Sequence, residues 1–159
     1  MASTTGMLVD LRLGSTADLP TVDRIMRAAF DPRFGEAWTR GQCLGIMAMP
    51  GVWLRLATVE GRCVGFAMAR AIVDDAELLL LATDPEARRN GVGRALVQAI
   101  IDDARDRGAA QIHLEVRAGN DAVGLYARAG FAKVGERRGY YRGINGQTFD
   151  ALTYSRRID

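Results

Sequence analysis

The chain has 159 residues, 48% of them hydrophobic and 25% charged, and its 21 Lys and Arg stand against 19 Asp and Glu for a net charge of +2. Such a chain is long enough to bury a core without disulfides or metal, and its composition argues against disorder and for one globular domain. A surplus of two charges is too small to argue for nucleic acid, and no aromatic-basic platform is visible to hold it.

Alternating apolar and polar residues over Leu8–Leu13 predict a first strand. Ser15-Thr16-Ala17-Asp18 supplies cap residues for a helix carrying Val22, Ile25, Met26, Ala29 and Phe30, which Asp31-Pro32 ends. A weaker helix is expected over about Glu36–Met49, with Trp38, Leu44 and Met47, stopped by Pro50-Gly51. Val52–Val59, Arg62–Val73 and Glu77–Thr83 read as three strands joined by short polar turns, an antiparallel meander. A long amphipathic helix begins at Val92 and ends at Arg107-Gly108. Gln111–Arg117 is a strand, Ala122–Ala129 a short helix, and Phe131–Tyr141 and Phe149–Arg156 the closing strands. The order β-α-α-β-β-β-α-β-α-β-β implies an α/β (α+β) domain with a mixed sheet over residues 1–159.

Cys43 and Cys63 have no ligand-spaced partners and one His, His113, adds none, so no metal is expected and both thiols read as structural. Cysteine usage fits a reducing cytoplasm. Met1–Gly6 is small and polar, without the pattern of a signal peptide, and the longest strongly apolar run, Leu78–Ala82, is far too short for a bilayer. Lys133 is the only Lys; twenty Arg read first as coding bias and second as a demand for phosphate forks.

The most informative stretch runs from Leu81 to Leu96, where a strand feeds a glycine-bearing loop that opens the long helix. Unpaired N–H groups and a partial positive charge lie at such a helix start, glycines let an anion approach the main chain, and Arg88, Arg89 and Arg94 add forked donors. The stretch is a diphosphate site in physical terms. It is no Walker loop, since no Gly-Lys-Ser/Thr follows, and Gly91-x-Gly93 lacks the third Gly of a dinucleotide fingerprint. The bland alternative is a turn before a solvated, arginine-rich helix start.

Arg88-x-x-Gly91-x-Gly93 after Asp84-Pro85 resembles the acetyl-CoA loop of the GCN5-related N-acetyltransferase (GNAT) superfamily, and within it the ribosomal-protein-alanine N-acetyltransferase (RimI-like) family. His113–Ala118, Leu125–Phe131, Arg137–Tyr141 and Asp150–Leu152 fall in that family's order, so the likeness covers the chain from about Val59 to its end. It implies a sheet that splays after its fourth strand with acetyl-CoA in the opening. Leu81, Ala82 and Thr83 would then meet the acetyl and pantetheine groups through their backbone, as an added strand would. Arg88, Arg89, Asn90, Gly91, Val92, Gly93 and Arg94 would bind the pyrophosphate.

Glu115, between Leu114 and Val116, points opposite to both and is either a surface acid or part of a cleft lining; the resemblance makes it the general base. Tyr126, otherwise a helix residue packed on the sheet, matches the acid that protonates the departing CoA thiolate. Asn120 matches a cofactor-contacting asparagine if the one-residue shortening before Tyr126 lies in the loop; otherwise Gly119 takes that position. Tyr140 and Tyr141 match paired tyrosines at the acceptor mouth, or else straddle a strand. His113 shares the face of Glu115 and either orients it or is structural.

The N-terminal third departs from the family pattern over Asp31–Thr39, where Phe34 and Trp38 are groove aromatics or core cover, and Gly143–Gly146 reads as a hairpin loop. The implied activity is acetyl transfer from acetyl-CoA to a primary amine by direct attack, the preferred acceptor being a protein N-terminal α-amine of the ribosomal type. Rival readings are a small-molecule amine or protein lysine acceptor, and an acetyl-CoA-binding partner or sensor with vestigial activity. Neither nucleic acid nor membrane is an expected partner, and a monomer and a homodimer fit equally.

Overall fold

A computed structural model describes residues 8–88 and 90–158 of the chain. Its strands and α-helices run β1 (Val9–Leu13), α1 (Leu19–Ala29), α2 (Arg40–Met47), β2 (Val52–Val59), β3 (Arg62–Ile72), β4 (Asp75–Thr83), α3 (Val92–Asp106), β5 (Gln111–Arg117), α4 (Ala122–Arg128), β6 (Ala132–Arg142) and β7 (Thr148–Arg157). This is the order read from the sequence. The strands form one mixed sheet in the order β1-β2-β3-β4-β5-β7-β6. β2, β3 and β4 are the expected antiparallel meander. Among the described residues no helix is long and apolar enough to cross a membrane.

Helix α1 is prepared by a 3₁₀ turn, Thr16–Asp18, in which Ser15 Oγ accepts from the Ala17 N–H and the Asp18 carboxylate accepts from the Ser15 N–H. Its stripe Val22, Ile25 and Met26 is fully buried against Leu54, Leu56, Phe66 and Met68 on one face of the sheet. Helix α2 begins at Arg40, four residues after the expected start. Gly35, at φ +70°, closes the 3₁₀ turn Pro32–Phe34, whereas Thr39 caps a helix: its Oγ1 accepts from the Gln42 N–H at 3.1 Å and Gln42 Oε1 accepts from the Thr39 N–H at 2.8 Å. Residues 35–39 therefore lie outside any helix or strand.

The opposite face is covered by α3, whose Leu96, Val97, Ile100, Ile101 and Ala104 pack with Ala67, Ile112, Leu114 and Tyr126 of α4. Asp103 fixes α3 to β2. Its carboxylate accepts from Trp53 Nε1 at 3.0 Å and from Arg55 Nε and Nη2 at 2.7 Å each, and Arg107 lies over the Trp53 ring.

Two departures from regular pairing shape the middle of the sheet. β4 and β5 run parallel only from Asp75–Gln111 to Leu78–Leu114. Immediately beyond, Leu79 is an extra residue in β4, because Ala69 pairs with Leu78 and Met68 with Leu80. Such a bulge bends its strand and changes which face each side chain takes. Ala76 and Leu78 belong to the α3 layer, but Leu80 and Ala82 belong to the α1–α2 layer. Past the bulge β4 leans on β3 alone while β5 continues with β7, so the two strands open into a V.

Candidate active site

The V is a cleft of about 1430 Å³. One wall is β4 from Glu77 to Thr83, the other β5 from Glu115 to Arg117, with α3 and α4 behind and the segment 29–38 in front. Because β4 pairs with β3 on one side only, its edge over Leu81, Ala82 and Thr83 presents main-chain groups to the opening.

The α3 start closes one end. Gly91, at φ +76°, caps the helix, and the first helical bond is from the Ala95 N–H to the Gly91 carbonyl. The N–H groups of Val92, Gly93 and Arg94 thus precede the intrahelical ladder and converge on the positive end of the helix dipole. Val92, Gly93, Arg94 and Arg88 line the cleft. Arg88 also donates from Nη2 to the Ala29 carbonyl at 3.3 Å, tying the loop to the end of α1. Asn90 is exposed and borders a neighbouring shallow depression instead. Arg89 lies outside the described residues.

The other end gathers the expected acid–base residues. Glu115 points into the cleft wall with a side chain only 13% exposed. Its Oε1 lies 3.0 Å from Arg137 Nε, and among the described residues its buried Oε2 has no hydrogen-bond partner. Burial pushes the Glu115 carboxyl above its ordinary range, Arg137 draws it back, Glu77 raises it and His113 lowers it. Tyr126 is buried edge-to-face against Phe131, and burial, with Tyr141 and Glu36 nearby, drives its phenol far above the ordinary value. Tyr141 is shifted the same way, chiefly by burial, and its hydroxyl donates to the Glu115 carbonyl at 3.4 Å. Tyr140 stands at the rim, its ring 5.0 Å from that of Tyr141 and T-shaped to it.

His113 does not orient Glu115. Its ring nitrogens face β4, Nδ1 at 3.5 Å from Asp75 and Nε2 at 3.7 Å from Glu77. Asn120 turns its side chain to a residue that sequence reasoning missed. Its Nδ2 donates to Glu36 Oε2 at 2.7 Å, and its Oδ1 accepts from the Ala122 N–H at the start of α4. Gly119 is part of an exposed turn at φ +87°. Glu36 Oε1 lies 3.0 Å from Arg117 Nε, and the Arg117 guanidinium covers the Phe34 ring at 3.7 Å. Phe34 is accordingly a cleft aromatic, whereas Trp38 both lines the cleft and covers the α1–α2 core. Cys43 and Cys63 lie outside the cleft lining, and burial raises both thiols.

The front wall is fastened to the β6–β7 hairpin. The Ile144 N–H donates to the Pro32 carbonyl at 3.1 Å. A Cβ on Gly35 would meet the Arg142 carbonyl oxygen at 2.0 Å, and one on Gly143 the Arg33 carbonyl oxygen at 1.8 Å. Two backbones lie in contact there, and only glycine fits on either side.

A family model described as the acetyltransferase (GNAT) family matches residues 21–131. The ribosomal protein bS18-alanine N-acetyltransferase of Escherichia coli K12 is 41% identical over 91 residues, 57% of this chain and 62% of that protein. The chain thus spans about three-fifths of that relative's length in the match. The protein of the same name from Salmonella typhimurium LT2 is 35% identical over 80% of this chain and 83% of its own. The crystal structure of the ribosomal-protein-S18-alanine N-acetyltransferase from Escherichia coli superposes with a TM-score of 0.85 at 31% identity, covering 96% of this chain and 95% of that one.

Replacing Gly143 by Ala is expected to drive the hairpin off the Pro32–Phe34 turn and to cost about 2 kcal/mol of stability, read from urea unfolding. An unfolding curve that overlays the parent's contradicts the interlock.

Proposed function

The chain belongs to the acetyltransferase (GNAT) family, and on that footing we propose that it transfers an acetyl group from acetyl-CoA to the α-amine at a protein N-terminus. The observation that carries the reading is the parting of β4 and β5, which sets a free strand edge between a helix start suited to phosphate and a buried, half-engaged carboxylate. The amide-rich pantetheine arm fits the edge at Leu81–Thr83 as a further strand would. Its pyrophosphate fits the N–H groups of Val92, Gly93 and Arg94, with Arg88 alongside.

Acetyl-CoA supplies the acyl thioester. A neutral amine is needed to attack it, and a free α-amine has a pKa of about 8, so modest assistance is enough. Glu115 takes the proton from the amine nitrogen, directly or through one water, as the C–N bond forms. Tyr126 gives a proton to the sulfur as the C–S bond breaks. Burial keeps that phenol protonated until it is needed. Asn120, held by Glu36 and by the Ala122 N–H, contacts the cofactor arm from the β5–α4 turn. Tyr140 and Tyr141 border the acceptor.

The fastened front wall favours a terminal amine as acceptor. With the 29–38 segment joined to the β6–β7 hairpin, the acceptor side is a mouth that a chain end enters more readily than a chain passing through. The ribosomal-protein names of the relatives make a ribosomal N-terminus the first candidate.

A coenzyme A release assay over N-terminal peptides, lysine peptides and small amines checks this reading. Peptides with a free terminus are expected to turn over best. Vigorous turnover of small amines with inert peptides moves the acceptor, and binding of acetyl-CoA without turnover across the panel replaces the enzyme with a binding protein. Tyr126→Phe is expected to lower kcat more than about tenfold with acetyl-CoA affinity nearly intact; equal turnover takes Tyr126 out of the mechanism. Gly91→Asp, which sets a carboxylate beside the phosphates, is expected to weaken acetyl-CoA binding in calorimetry.

A further inference from the structure

Arg137, a cation outside the cleft lining, lies against Glu115, and the proposed chemistry leaves it unused. Arg137 belongs to β6, yet β6 is not a neighbour of β5; β7 lies between them. In register, Gly135 faces Thr153, which faces Glu115, and Arg137 faces Ala151, which faces Arg117. These residues share one face of the sheet, and Gly135, which has no side chain, and Ala151, with a small one, leave the arginine stem room to cross β7.

A second irregularity aims it. Between Arg137 and Tyr141 β6 advances four residues while β7 advances two, from Ala151 to Phe149. The extra length loops out around Gly139, whose N–H donates to Asp150 Oδ1 at 2.9 Å. Arg137 and Tyr141, at the two ends of this loop, converge on the same residue. Arg137 Nε reaches Glu115 Oε1 at 3.0 Å and the Tyr141 hydroxyl reaches the Glu115 carbonyl at 3.4 Å.

We infer that Arg137 is a positioning residue for Glu115, holding one carboxylate oxygen and leaving the other as the unengaged proton acceptor. The contact supports this division, since a two-pronged arginine fork would have occupied both oxygens. Glu115 sits in a setting that opposes its charge. Glu77 faces it from β4, His113 shares its strand, and Tyr141 and Arg137 face it from β6. On β7 the facing residue, Thr153, is neutral. Glu36, from the front segment, is engaged by Arg117 and Asn120. Arg137 therefore supplies the strongest pull towards the ionised form, against burial and Glu77. Its side chain is 61% exposed, so the cation retains most of its own hydration.

The inference rests on Glu115 being the base, and two readouts keep it separate from that reading. The first is an NMR titration of the carboxyl carbons, with Glu115 assigned through Glu115→Gln, which needs no turnover. Arg137→Met is expected to move the Glu115 midpoint to higher pH, and Arg137→Lys to keep it near that of the parent. The second is the pH profile of acetyl transfer to a peptide. Arg137→Met is expected to lower kcat about fivefold on the acidic side, the deficit fading as rising pH ionises Glu115 regardless, with acetyl-CoA affinity unchanged. Coincident midpoints for parent and Arg137→Met overturn the inference, as does a loss of kcat that is the same at every pH. A shifted midpoint in a protein that transfers no acetyl group leaves the ion pair standing and removes the enzyme reading instead.

Discussion

The site depends on two strands that stop pairing. β4 and β5 share four residue pairs and then separate at Leu79, where β4 carries one residue too many for β3. Had the pairing continued in register, Leu79–Leu81 and Glu115–Arg117 would have satisfied one another's main-chain groups and no opening would exist. The bulge instead leaves a strand edge inside the protein, walled by side chains and facing a helix start. An unpaired edge is ordinarily a liability. Here it is sheltered, and an extended amide-bearing ligand can complete it.

A single carboxylate connects the two halves of the cleft. Glu36 comes from the front segment; Arg117 ends β5 and Asn120 lies in the turn between β5 and α4. Asn120 in turn holds the first N–H of the helix that bears Tyr126. The front segment is thereby joined to the deep end of the cleft through three side chains in direct contact. Arg117, packed on Phe34, gives that link a flat apolar seat as well as a charge.

Most of the architecture was legible in the sequence because it is written in periodicity. Alternation marked the strands, the Val92–Ala104 stripe marked α3, and the glycines after Asp84-Pro85 marked its start. What escaped depends on neighbours distant in sequence or on chemistry with no periodic trace. Leu78 to Leu81 are identical residues, so nothing in them announces that the face changes at Leu79. The start of α2 was placed too early because Trp38 suggested an apolar face, while the decisive signal was Thr39 with Gln42 three residues on. Glu36 meets a partner 84 positions away, and the segment holding it follows no pattern that the sequence reading could use. Arg137 reaches Glu115 over an intervening strand, a relation invisible until the order β5-β7-β6 is known. Of the two readings of His113, structural or orienting Glu115, its contacts with Asp75 and Glu77 favour the first, because a shared face says nothing about which adjacent strand offers the better acceptor.

β6 is also the last strand of the sheet, and it carries Val134 largely exposed. A long, straight rim of that kind invites a passing chain to add itself as the next strand. The detour around Gly139 breaks the straight row of main-chain donors, and Lys133, Glu136, Arg137 and Arg138 set charge along it. The irregularity that brings Arg137 and Tyr141 to Glu115 thus also makes the outer border a poor template, so one detour of the chain shapes both the contacts inside and the edge outside.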